Sequence, residues 1–467
     1  MSEKNSSAKE LKEKLFARKK HGFFRMTEEQ YSDCSSFCED YKKFLDSAKT
    51  EREAVKTSVS LLEAKGFKEY KNGMSLSAGD KIYRNNRGKA IIAAIIGTEP
   101  IEKGVRLCAA HIDSPRLDLK QNPLYEDNRM ALFKTHYYGG IKKYQWTAMP
   151  LSLHGVIIKA DGSEVCVSIG EDENDPVFCI SDLLPHLAGE QMKRSSAQLI
   201  KGEELNIIIG SLPYPDEEIN DAVKLNILNL LFEKYGITES DFISAELEAV
   251  PAFKAKDIGF DRSMIGAYGH DDRVCAYPAL AATLDCENPA HTVVTVLTDK
   301  EETGSDGNTG LCSDYLRFFI EDLAEALGSN GRTVLSASEC LSADVNAAFD
   351  PTFPDVNEKN NCAYINNGVC VTKFTGARGK SGTSDASAEF VGRVRRLLDS
   401  NNVIWQTGEL GRVDGGGGGT VAAYIANMNV DTIDVGVPVL SMHAPYEIVA
   451  KIDVYSAYRA FAVFMAD

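Results

Sequence analysis

The chain has 467 residues, 43% hydrophobic and 25% charged, with a formal net charge of −17. This is the composition of a globular protein with one large or two ordinary domains, and its acidity argues against nucleic acid as main partner while suiting metal cations held by carboxylates. No apolar run approaches the ~20 residues of a membrane span, and the charged N-terminus, MSEKNSSAKELKEKLFARKK, lacks a signal-peptide core, so a cytoplasmic protein without membrane attachment is expected.

The first ten or so residues are expected to be loosely ordered. Thr50-Glu51-Arg52-Glu53 has capping-box form and opens a predicted helix that stops at Gly66. An apolar run of strand length, VRLCAA (105–110), ends at His111-Ile112-Asp113. Residues 118 to 246 read differently: LSLHGVIIKA and EVCVSIG alternate, and GEDENDPVF is rich in acids and proline. This segment is expected to be a β-rich domain inserted into a first domain made of 1–117 and 247–467. Within it, Ile219, Val223, Ile227, Leu230 and Leu231 share a helical face that ends before Gly236.

After the insertion, GAYGHDDRVCAYPAL carries Asp271 and Asp272 just before an apolar helical stretch. The strand TVVTVL (292–297) breaks off at Asp299-Lys300-Glu301-Glu302. Leu316, Phe319, Ile320, Leu323 and Leu327 predict a helix stopped by Gly328. The run TVLSAS (333–338) is read as a strand leading to Asp344. Ala386, Phe390, Val394, Leu397 and Leu398 predict another helix. The last strand, DTIDVGV (431–437), continues as VGVPVL towards His443, and DVYSAYRAFAVFMA closes the chain as a helix. Strands alternating with helices predict an α/β fold with a mostly parallel sheet flanked by helices. The eleven cysteines form no CxxC pair and read as small core residues of a reducing compartment.

In open α/β sheets the carboxyl ends of strands form the crevice where ligands bind. Here they deliver His111, Glu301 with Glu302, Asp344 and His443 to one rim, with Asp271 nearby. Taken singly, each has a plain structural reading: a surface charge pair, a helix cap or a turn. Together they suit a two-metal hydrolytic site, since imidazole and carboxylate both bind Zn²⁺, with Mn²⁺ or Co²⁺ as substitutes. Successive side chains on an extended segment point to opposite sides, so one of the adjacent glutamates can bind metal while the other serves as general base. His270, next to Asp271, is expected to pack or to make a contact behind the ligands, with ligation as its rival role, while His21, His136, His154 and His291 lie away from these motifs.

HIDSPRL, GHDDRVCAY, TDKEETGS, LSADVNAAFDP and VGVPVLSMHAPYE closely resemble the aspartyl aminopeptidase family of dinuclear zinc exopeptidases, in family order and over nearly the whole chain. The chain looks like a bacterial-type member. The resemblance implies two Zn²⁺ per subunit. His111 and Asp344 would ligate one, Glu302 and His443 the other, and Asp271 both. Glu301 would be the general base and Asp113 would orient His111. His186, on the residues alone a surface or interface histidine, would reach the active site of a neighbouring subunit. The family assembles as tetrahedral dodecamers and acts on peptides, so a homo-oligomer is expected.

Lys373 matches a family lysine that contacts an acidic substrate side chain, with a solvated basic loop as its alternative. The run GRVDGGGGGTVAAYIA is not followed by Gly-Lys-Ser/Thr, which argues against a phosphate loop. The family places substrate-backbone contacts here, at Gly417 and Gly418; a merely flexible loop is the other reading. The expected activity is removal of N-terminal residues, acidic ones among them, from peptides. Alternatives are a broad or leucine-type aminopeptidase, another dimetal amide hydrolase, or a catalytically vestigial self-assembling shell protein.

Overall fold

The computed structural model describes residues 2–17 and 21–467, with side chains from residue 8 onward. A nine-stranded sheet forms its centre, in the order Lys68–Glu69, Lys81–Asn86, Ala90–Ile95, Thr292–Thr298, Val105–His111, Glu339–Ser342, Asp431–Gly436, Val369–Thr372 and Trp405–Thr407. The four strands from Thr292–Thr298 to Asp431–Gly436 are mutually parallel, and antiparallel pairs occur towards both margins. Every residue of Ala90–Ile95, Val105–His111 and Thr292–Thr298 is buried, as expected for strands covered on both faces.

Strand alternation divides the core in two. Cys108, Ala110, Val293 and Leu297 face one side, where they pack with Tyr41, Val55, Leu62, Leu280, Phe461 and Phe464 from helices. Leu107, Ala109, Val294 and Val296 face the other, against Leu316, Phe319, Ile320 and Leu323. The helix Glu51–Ala64 starts with the expected capping box: Thr50 Oγ1 accepts the Glu53 N–H, and the Glu53 carboxylate accepts the Thr50 N–H.

A six-stranded antiparallel sheet is built from strands that run from Arg116–Asp127 to Ala245–Pro251, around a core that includes Phe133, Trp146, Leu151 and Phe242. A five-stranded sheet joins Lys256–Ile258, Met264–Ala267, Glu447–Ala450, Pro438–Leu440 and Asn346–Ala347. No helix among the described residues is long and apolar enough to cross a membrane. The cysteines form no disulfide among the described residues.

Three local expectations fail. TVLSAS is not a strand: Gly331–Ser336 is helical, because Asn330 caps it by accepting the Thr333 N–H, and the strand before Asp344 is Glu339–Ser342. Ile219 lies outside the helix Ala222–Tyr235, and Leu230 on that helix is 52% exposed, so the inferred face is not a buried stripe. The first residues, expected to be loose, belong to a helix, Ser2–Leu15.

Candidate metal centre

His111 is the last residue of its buried strand and is itself buried. Its Nδ1 lies 3.0 Å from the Asp113 carbonyl oxygen and donates there, which leaves Nε2 aimed at Asp271 Oδ1, 3.2 Å away. The Asp113 carboxylate stands beside this ring and beside the turn that follows the neighbouring strand. Its Oδ1 is 3.3 Å from His111 Nδ1, and its two oxygens accept the backbone N–H groups of Glu301 and Glu302, each at 3.2 Å.

Those glutamates do not sit on an extended segment. Lys300 adopts a positive φ of 67°, and Glu301–Thr303 is one 3-10 turn. The tight turn still splays the two side chains. Glu301 Oε2 lies 3.8 Å from His111 Nε2, whereas Glu302 Oε2 lies 3.5 Å from His443 Nε2.

His443 follows the strand Pro438–Leu440, which belongs to the five-stranded sheet, so the ligand rim draws on two sheets and not one. Its Nδ1 lies 2.8 Å from the Gly140 carbonyl, and its Nε2 is 3.2 Å from Asp271 Oδ2. Gly140 follows a strand of the six-stranded sheet, which thus supplies the group that aims His443. A Cβ at Gly140 would stand 3.3 Å from that imidazole, and one at Gly139 3.4 Å from Glu302.

Donor atoms of His111, Asp271 and Asp344 fall within 4.8 Å of one another, as do those of Asp271, Glu302 and His443. Asp271 is common to both groups, one oxygen turned to each imidazole. The electrostatics fit cations. Burial and nearby carboxylates push the Asp344, Glu302 and Glu301 carboxyls up, Glu301 to about 7. Asp344 Oδ2 and Glu302 Oε1 are buried without a hydrogen-bond partner. Asp271 is held low: burial opposes its charge, but hydrogen bonds from His111 and His443 outweigh it. Buried carboxylate charge with orphaned oxygens, beside two imidazoles presenting Nε2, is a donor set for divalent zinc.

Three contributors escaped the sequence reading. Glu447 is buried and accepts the backbone N–H of both Asp271, at 3.0 Å, and His443, at 2.7 Å. Tyr138 donates its hydroxyl to Asp113 at 2.8 Å, and the Gly140 carbonyl aims His443. The signals were present as the glutamate four residues after His443 and the Tyr-Tyr-Gly-Gly run at 137–140. His270 is not a ligand: its Nδ1 pairs with the Tyr41 hydroxyl at 2.7 Å, its Nε2 faces the Ile265 carbonyl at 3.2 Å, and burial lowers its pKa to about 3.

The remaining expected residues lie outside the two donor groups. Lys373 pairs with Asp385, which Lys380 also meets at 2.8 Å. Gly417–Gly418 pairs with Gly376–Ala377, and a Cβ on Gly417 would come within 2.1 Å of the Gly376 carbonyl oxygen, so this contact requires glycine. His186 is exposed, in the loop between the strands Glu164–Ile169 and Asn206–Gly210, and makes no hydrogen bond or ion pair among the described residues.

Comparison with known proteins assigns the family. The model for "Aminopeptidase I zinc metalloprotease (M18)" matches residues 44–465. A relative from Clostridium acetobutylicum, named probable M18 family aminopeptidase 1, is 48% identical over 454 residues, covering 96% of this chain and 98% of its own. The crystal structure of an M18-family aminopeptidase from Thermotoga maritima superposes with a TM-score of 0.93 at 44% identity, over 96% of this chain and 99% of that one. The Saccharomyces cerevisiae mApe1 dodecamer shares the fold, with a TM-score of 0.74 at 22% identity over 91% of this chain and 95% of that one. With matches of this extent, the chain belongs to the M18 family and is a zinc-dependent aminopeptidase.

Proposed function

We propose that this enzyme holds two zinc ions per subunit and removes N-terminal residues from peptides, with Glu301 as general base. The observation that carries the reading is Asp271, whose two oxygens each lie 3.2 Å from a different imidazole within two overlapping donor groups. His111 and Asp344 would hold one ion and Glu302 and His443 the other, with Asp271 common to both donor groups. Mn²⁺ or Co²⁺ are chemically reasonable substitutes. Bound zinc supplies Lewis acidity, which lowers the pKa of a water and polarises a carbonyl.

The protein's own groups do the rest. Glu301 takes the proton of the attacking water and hands it to the leaving amine. Its carboxyl suits both tasks, because burial favours the neutral form while the His111 imidazole favours the charged one. Asp113 fixes the turn that carries Glu301. His186 from a neighbouring subunit stabilises the oxyanion.

Residues 118–246 form the inserted dimerisation and lid domain, and 1–117 with 247–467 the catalytic domain. Leu183, Leu184 and Leu187 around His186 are 52%, 49% and 70% exposed, which supports burial against another subunit. The mApe1 relative is described as a dodecamer. We extend a dodecamer to this chain, as a homo-oligomer of tetrahedral arrangement, and place it in the cytoplasm, with peptides as its partners.

For the substrate side chain, Lys373 and Lys380 share the single carboxylate of Asp385, so the cluster keeps a net positive charge for an acidic residue. Lys373 follows Thr372, whose hydroxyl accepts from Asn346, two residues beyond Asp344. Gly417 and Gly418 offer backbone at the paired segment. Assay of the zinc-loaded enzyme on Asp-, Glu- and Leu-derived chromogenic amides tests this reading. Faster release of Asp or Glu is expected, and a Leu preference removes Lys373 from recognition in favour of a broad or leucine-type aminopeptidase.

A further inference from the structure

Two short strands, Lys256–Ile258 and Met264–Ala267, form a hairpin at the edge of the five-stranded sheet. Its turn is tightly defined. Gly259 has a φ of +88° and Arg262 one of +55°, and Asp261 Oδ1 accepts from the Ser263 N–H at 3.2 Å and its hydroxyl at 3.0 Å. Phe260 stands on this turn with a relative exposure of 113%. Burying a Phe side chain is worth about 1.5–3 kcal/mol relative to leaving it in water. Here a large apolar group is held away from the protein by an ordered turn.

The base of the same hairpin carries the complementary feature. A cavity of about 600 Å³ is lined by Ala252, Phe253, Lys254, Lys256 and Tyr446. Phe253 and Tyr446 meet edge to face, 5.7 Å between centroids, and give the cavity an aromatic wall. Lys254 pairs with Glu171 at 2.6 Å, whereas Lys256 has no ion-pair partner among the described residues. Asp261, next to Phe260, likewise meets no cation among them.

One hairpin therefore bears an apolar knob beside an unpaired carboxylate at its tip, and an aromatic hole beside an unpaired ammonium at its base. A two-fold interface needs such self-complementarity, because residue i contacts j and j contacts i about one axis. With ~3.3 Å of rise per strand residue, tip and base are about 13 Å apart, so two hairpins lying antiparallel bring each tip to the other's base.

We propose that this hairpin is an interface with a second copy of this chain, in which Phe260 of each copy fills the Phe253–Tyr446 cavity of the other and Asp261 faces Lys256. The proposal rests on the homo-oligomer reading but not on the metal chemistry. It differs from the His186 contact, which lies in the six-stranded-sheet segment.

The test is the mass of the full-length, zinc-loaded enzyme, followed by light scattering and sedimentation across a dilution series. Phe260→Asp should give smaller particles, with at least a tenfold rise in the concentration needed for assembly. Lys256→Glu and Asp261→Lys should each weaken assembly, and the double variant should recover it, which a folding defect would not do. A Phe260→Asp particle of wild-type mass throughout the dilution series overturns this contact while leaving the oligomer reading intact. A wild-type chain that is monomeric throughout overturns both.

Discussion

Tyr138 donates its hydroxyl hydrogen to the Asp113 carboxylate at 2.8 Å. The bond ties a strand of the six-stranded sheet to the residue that holds the Glu301–Glu302 turn through two backbone N–H groups. The Arg116 guanidinium covers the Tyr138 ring, 3.9 Å from its centroid. Tyr138 is thus a positioning residue, acting on the glutamates through Asp113. Tyr138→Phe deletes one hydrogen bond to a charged acceptor, worth about 1.5–3 kcal/mol. A fall in kcat of roughly tenfold or more is expected, with KM and zinc content unchanged. Unchanged kcat would leave the hydroxyl a structural role only.

Glu301→Gln keeps the size and hydrogen-bonding capacity of the side chain but cannot accept a proton. Turnover should drop by about 10²–10⁴-fold. Metal analysis should still find the wild-type zinc content, because Glu301 belongs to neither donor group. Loss of zinc together with activity would make Glu301 a ligand and not a base.

Glu447 accepts one backbone N–H from each of two proposed ligands, Asp271 and His443. In Glu447→Gln one of these donors meets an amide NH₂ in place of an oxygen. Zinc affinity, measured by competition with a chelator, should fall about 10–100-fold, the usual cost of disturbing a group that orients ligands. Equal affinities would mean that the backbone holds its place without this carboxylate.

His154 is buried between Glu53, at 2.7 Å, and Glu171, at 3.1 Å, far along the chain from the metal motifs. Burial opposes its charge, but the hydrogen bonds to Glu171 and Glu53 outweigh it and raise its pKa. A raised histidine pKa stabilises the fold fully below the unfolded value of about 6.5, and the contribution is lost as pH rises through the folded pKa. His154→Gln should therefore cost on the order of 1–3 kcal/mol at about pH 5.5, and progressively less above neutrality. Denaturant melts of both proteins across pH measure the difference, and a cost that grows with pH contradicts the assignment.

The strands that position the site were legible because they are buried on both faces and read as unbroken apolar runs. Thr292–Thr298 and Val105–His111 are the clear cases. His111 and the Glu301–Glu302 pair were legible because they follow such runs, and Asp271 because it stands at a helix entrance, whereas Asp344 was reached through TVLSAS although the strand before it is Glu339–Ser342. TVLSAS misled because Thr and Val fit a strand, while the cap from Asn330, a single side chain, decided for helix. The divergence of the Glu301 and Glu302 side chains was anticipated, although a positive-φ Lys300 and a 3-10 turn produce it in place of an extended segment. Glu447, Tyr138 and Gly140 stand beside the quoted motifs but went unread, because what they do depends also on segments remote in sequence: Glu447 reaches Asp271, 176 positions away, and the Gly140 carbonyl reaches His443, 303 positions away.

Anomalous diffraction from crystals of the zinc-loaded enzyme addresses the paired-metal site directly. Two zinc ions per subunit are expected, one against His111 and Asp344, the other against Glu302 and His443, with Asp271 touching both. A single ion at full zinc occupancy, or zinc bound away from these five side chains, would contradict it.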